Sequence, residues 1–256
     1  MGIENTNEWL RDDFFNPSAI CDHFKELFME QDAKKLYQYL KSYGMYSPGQ
    51  KSKRDAESLM DNDIWAKGKK IFNKYKKNWN GPDVPIYIFP LKQPGFLERS
   101  IENKSGLAFP DKMLLFIHAG IKDKELEALF IHEYHHVCRL NKMAGREEEP
   151  NLLDSMIMEG LAENAVAHHL GKEYLAGWTA VHSEEKLEEY WIRYVEKHIY
   201  VKRHEKLHDS ILLGQGRYPS MLGYCMGYHL VKKQSKIPFM QSFSISAEKF
   251  LNNKEL

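Results

Sequence analysis

The stretch His132-Glu133-Tyr134-His135-His136 decides how this chain is read. It is HExxH, a pattern that a chain of this composition would produce by chance about 0.05 times. On a helix, positions i and i+4 share a face, so His132 and His136 present two imidazoles to one point. Zinc accepts such a pair, and Glu133, next to the first histidine, is placed to take a proton from a water on the metal. His135 lies between them in sequence and faces elsewhere, at 100° of rotation per residue.

Working outward, the flanking residues predict a helix over 123–143. Leu126, Leu129, Phe130, Val137 and Leu140 recur at helical spacing. Asp123 reads as the N-cap, with Glu125 in the first turn. Arg139 and Lys142 come near the end, before Gly145 as a stop. A second helix is expected to start with Asp154 as N-cap and to run to Leu170, before Gly171. It carries Glu159 and Glu163 one turn apart among Met156, Ile157, Leu161, Ala162, Ala165 and Val166. Carboxylates on so apolar a helix are costly to bury without a cation or hydrogen-bond donors. A zinc ligand and a partner for a ligating histidine would account for both.

Before the motif, Val84-Pro85-Ile86-Tyr87-Ile88-Phe89-Pro90 and Leu114-Leu115-Phe116-Ile117-His118 read as short strands bounded by Gly and Pro. The expected fold class is α+β and mainly helical. A small, mostly antiparallel sheet would pack on the HExxH helix and on the glutamate-bearing helix, in a zincin-like arrangement.

The order strand, His-Glu-Tyr-His-His helix, then Met158-Glu159-Gly160-Leu161-Ala162-Glu163 resembles the gluzincin metallopeptidases. The chain is also similar to an uncharacterised bacterial family of predicted zinc-dependent proteases. Its matching pieces are Trp79-Asn80-Gly81-Pro82-Asp83-Val84-Pro85-Ile86-Tyr87, the HExxH segment, Glu159-Gly160-Leu161-Ala162-Glu163 and Gly223-Tyr224-Cys225-Met226-Gly227-Tyr228. The resemblance implies one Zn²⁺ held by His132, His136 and Glu159, with Glu133 as general base. It places Glu163, where gluzincins usually have Asp, as the residue that orients a ligand histidine. It does not supply a substrate. Tyr224 and Tyr228, again one turn apart, are candidates for hydrogen-bonding the oxyanion, against a packing role for an aromatic helix face.

Net charge is +0 and pI about 7.2, which argues against a nucleic-acid partner. The lysines between Lys67 and Lys77 interleave with Ile71, Phe72, Tyr75 and Trp79, as on a solvated helix face. Three scattered cysteines do not make a disulfide framework. No apolar run is long enough to span a membrane, and the N-terminus has no basic segment leading into an apolar one. The cytoplasm is the expected compartment.

Residues 1–80 read as a helical N-terminal region and 81–256 as the catalytic domain. A helix is expected from Pro17 to near Gly44, then a polar linker over 47–53. A second helix is expected from about Asp55 to Trp79, with an interruption near Gly68. Later, Ser183 caps a long amphipathic helix reaching Val201, and a last main helix covers 221–235. His168 and His169 read as helix-end residues, and His198, His204 and His208 as solvated. His118 could pack or line a substrate cleft. The expected function is hydrolysis of peptide bonds in a peptide or protein substrate. The competing class is a zinc-binding regulatory or co-chaperone-like protein on the same fold.

Overall fold

The computed structural model describes residues 2–92, 104–145, 149–234 and 237–251. Glu147 and Glu148 lie outside them. The chain forms two compact units, Met1–Val137 and Cys138–Leu256.

The first unit is built on a four-stranded sheet of β1 (Gly2–Ile3), β2 (Pro85–Pro90), β3 (Lys104–Ala108) and β4 (Met113–Ile117). The order is β1-β2-β4-β3. β1 runs parallel to β2 and β2 parallel to β4; only β3 pairs antiparallel, with β4. The sheet is therefore mixed, not mostly antiparallel. The reason is visible in the residues. Every residue of β2 and of β4 is buried. Continuous apolar strands belong to a sheet covered on both faces, where parallel pairing is at home.

The two faces have different covers. Tyr87, Phe89, Leu114 and Phe116 join a core with α1 (Thr6–Asp13), α2 (Pro17–Asp22), α3 (Ala33–Ser42) and α4 (Gln50–Asp61). On the other face, Ile88 and Ile3 meet Gly68 of α5 (Ile64–Trp79), together with Phe130 of α6 (Asp123–Lys142). A methyl group at Gly68 would stand only 3.0 Å from the Phe130 ring. Gly68 is thus a contact point inside an unbroken helix. The interruption comes earlier, where Asp63 adopts a left-handed conformation (φ 54°) before Ile64. The expected linker at 47–53 is already helical from Gln50. The helix expected from Pro17 is divided into α2, a 3-10 turn at Lys25–Phe28 and α3, with left-handed Met29 between the last two.

On α5 the lysines Lys69, Lys70, Lys74 and Lys77 are exposed, while Phe72, Tyr75 and Trp79 are buried. That buried stripe grips α6. Tyr134 stacks on Trp79 at 5.6 Å and meets Phe72 edge-on at 5.2 Å. Glu127 of α6 accepts from Lys74, Tyr75 and Lys124 at 2.7–3.0 Å. Burial would raise this carboxyl, but the three donors outweigh it and hold it down at about 2.

The second unit centres on α7 (Leu152–Leu170) and α10 (Leu222–Lys233), with α8 (Glu184–Tyr190) and α9 (Lys206–Leu212) around them. α7 starts two residues before Asp154. Asn151 is the N-cap, and Asp154 at the third position closes a reciprocal capping box with it. α7 and α10 touch backbone to backbone. A methyl group at Gly160 would overlap the Gly227 carbonyl, and one at Gly227 would overlap the Met156 carbonyl. Ser183 does cap α8, accepting from the Lys186 amide. The regular helix stops at Tyr190, however, and passes through a π-helical turn (Trp191–Val195) and a 3-10 turn (Glu196–His198). Cys21, Cys138 and Cys225 are buried and not joined in disulfides. Burial pushes the thiols of Cys21 and Cys225 up to about 12, Asp22 adding to the first. Among the described residues no helix is long and apolar enough to cross a membrane.

Two outcomes follow. Gly227→Ala should destabilise the protein by roughly 2–3 kcal/mol or more, because backbone cannot swing aside. Gly177→Ala, with nothing within 4 Å of its added methyl, should stay within about 0.5 kcal/mol in the same urea titration. The lowered Glu127 carboxyl stabilises the fold above its ordinary value of 4.5, and that gain fades as pH falls from there toward 2. Glu127→Gln should remove up to about 3 kcal/mol at pH 7 and flatten the acid limb of the stability curve.

Candidate metal centre

α6 sets the site by its rotation. With Tyr134 locked between Trp79 and Phe72, and its hydroxyl donating to the Pro82 carbonyl at 2.9 Å, one face is committed to packing. His135 is also committed there; it is fully buried, its ring edge-on to Trp79. The neighbouring face carries His132 and His136. Their Nε2 atoms stand 3.0 Å apart with the rings nearly perpendicular, at 88°. Two zinc–nitrogen bonds of ~2.0–2.1 Å at a tetrahedral angle would set such atoms about 3.3 Å apart. The pair fits one small cation with a slight opening. Glu133, between them in sequence, is buried at 7 % exposure.

Glu159, the carboxylate expected as third donor, lies on α7 in the second unit. Two imidazoles and a carboxylate are a zinc donor set with a fourth position to spare. Glu163, one turn further along α7, is 2 % exposed and accepts from the Ala176 backbone N–H at 2.9 Å. Trp178 packs edge-on against Tyr224 and Tyr228 at 5.2 and 6.5 Å. Burial and the nearby charge of Glu163 both push the Tyr228 phenol up. That keeps its proton in place and leaves it able to donate.

Other histidines sort themselves by their partners. His168 stacks on Phe239 at 5.0 Å and His169 meets the same ring edge-on. His204 is exposed and paired with Glu149 at 2.8 Å. His118 is exposed just beyond β4, its Nδ1 accepting from the Gly120 amide. His208 does not follow the expectation of a solvated residue: it is 1 % exposed. Its Nδ1 meets Asp209 at 2.8 Å and its Nε2 meets the Ser155 hydroxyl at 2.9 Å. Ser155 precedes Glu159 by one turn on the same face of α7. The sequence signal was the adjacent His-Asp pair, read as solvated although Leu207 and Ile211 flank it.

Over 98 % of its length the chain is 35 % identical to the Bacillus subtilis (strain 168) protein described as "Uncharacterized protein YjaZ", covering 99 % of that relative. A second relative from the same organism, "Uncharacterized protein YjfC", is 28 % identical over 46 % of this chain and 44 % of its own. No solved structure matches. Residues 64–252, from the first turn of α5 to beyond α10, match one family model. The chain belongs to the family described as "Predicted Zn-dependent protease (DUF2268)".

Proposed function

We propose that the protein is a zinc-dependent peptidase of the gluzincin type on a zincin-like framework. His132, His136 and Glu159 are its metal ligands and Glu133 its general base. The observation that supports it most is the pair of imidazole Nε2 atoms 3.0 Å apart on one face of α6. The proposed set of three protein donors, rather than four, favours a working metal over a purely structural or regulatory one. When bound, zinc supplies Lewis acidity toward the scissile carbonyl and the attacking water.

The remaining steps belong to side chains. Glu133, buried on α6, takes a proton from the attacking water and hands it to the departing amine. Glu163 fixes the orientation of a ligand histidine, itself steadied by the Ala176 amide. Tyr228, with Tyr224 beside it on Trp178, offers a phenolic O–H to the developing oxyanion. The substrate class is a peptide or protein segment.

Metal analysis and turnover test this directly. The purified protein should carry about one zinc per chain, and protein that neither holds nor takes up zinc would end the proposal. Glu133→Gln should keep the metal and lose roughly 10²–10⁴-fold in turnover of a peptide library. An unchanged turnover would assign the base elsewhere. If the wild type binds zinc and cleaves nothing, the regulatory reading stands instead.

The two carboxylates should separate by degree. Glu159→Ala is expected to purify without metal, whereas Glu163→Ala should bind zinc about 10–100-fold more weakly and remain loadable. Competition with a chelator of known affinity reads the difference. The reverse order would exchange their roles.

A further inference from the structure

Gly106 sits at the middle of β3, opposite Leu115 of β4. A glycine inside a strand weakens it, so it calls for a local reason. Conformation is not that reason, because Gly106 is not among the positive-φ glycines of the chain. Space is. A methyl group built there would come within 2.5 Å of Glu133 Cγ and Oε1, and closer still to Cδ. All three nearest atoms belong to that one carboxylate side chain.

The contact differs in kind from those at Gly160 and Gly227, where the obstacle is backbone. Here it is the far end of a flexible side chain on α6. An alanine at 106 can therefore be accommodated by turning the Glu133 side chain, leaving sheet and helix where they are. We propose that Gly106 is a positioning residue for Glu133: its missing side chain is the niche in which the carboxylate rests against the edge strand. The proposal rests on Glu133 being the base. A displacement of about 1 Å in such a group costs on the order of 100-fold in rate. Gly106 thus acts on catalysis through Glu133 and without touching substrate through a side chain of its own.

Four proteins test it: wild type, Gly106→Ala, Glu133→Ala and the double variant. Their unfolding midpoints, zinc content and peptide turnover are compared. Gly106→Ala should keep its zinc and lose about 100-fold in kcat with KM little changed. Its effect on the midpoint should be neutral or unfavourable beside Glu133, and favourable once Glu133 is cut to alanine, where the niche is empty and the strand gains a better former. An identical midpoint change in both backgrounds, or full turnover in Gly106→Ala, overturns the proposal. Gly106→Ala that fails to fold alone and is restored by Glu133→Ala supports it; failure in both backgrounds overturns it. A wild type without turnover but with the midpoint coupling intact would sink the peptidase reading alone, because the niche would still be shown.

Discussion

The orientation of α6 about its own axis is the constraint on which the candidate site depends. A helix delivers a metal pair at i and i+4 only if its other faces are fastened. Here the fastening is aromatic and electrostatic at once. Tyr134 is wedged between Trp79 and Phe72, and Glu127, two turns earlier, is held by Lys74 and Tyr75 from the same helix α5. The two anchors lie seven residues apart, so together they resist both rotation and sliding. Tyr134, one of the two residues inside the motif with no chemical role in the HExxH pattern, thus helps to aim it.

At Gly68, at Gly160 and Gly227, and at Gly106, glycine serves three separate purposes. Gly68 admits the edge of Phe130 between α5 and the sheet. Gly160 and Gly227 let α7 and α10 meet at backbone distance, fixing the height of the helix that bears Glu159 and Glu163. Gly106 makes room for a carboxylate. Only the middle case is intolerant of any side chain, because only there does the neighbour lack a torsion to turn.

The parts that were legible in the sequence are those specified by local signals. The bounds of α6 follow from its apolar period, its acidic first turn and its basic last turn, and the end of α7 from Gly171. β2 and β4 follow from their apolar runs. Their parallel pairing was also written there, in the absence of alternation, but it competes with the usual habit of short strands near hairpins. β3 was not legible: Lys104-Ser105-Gly106-Leu107-Ala108 holds no β-branched or aromatic residue. It is a strand because β4 offers it an edge. The break at Asp63 escaped because a left-handed aspartate leaves no mark comparable to Gly or Pro. The burial of His208 escaped because it depends on Ser155, 53 positions away. The three proposed metal donors were picked out because two share a helix face and the third stands out as a charge among apolar neighbours.

The buried cysteines carry a last consequence. Cys21 belongs to the first unit and Cys225 to the second, where its thiol donates to the Trp178 carbonyl. With both pushed up to about 12 by burial, neither is a thiolate at neutral pH while its unit is closed. Their alkylation rates are therefore clocks of opening rather than measures of surface. Cys21 thus reports on opening in the first unit and Cys225 on opening in the second, with no label added.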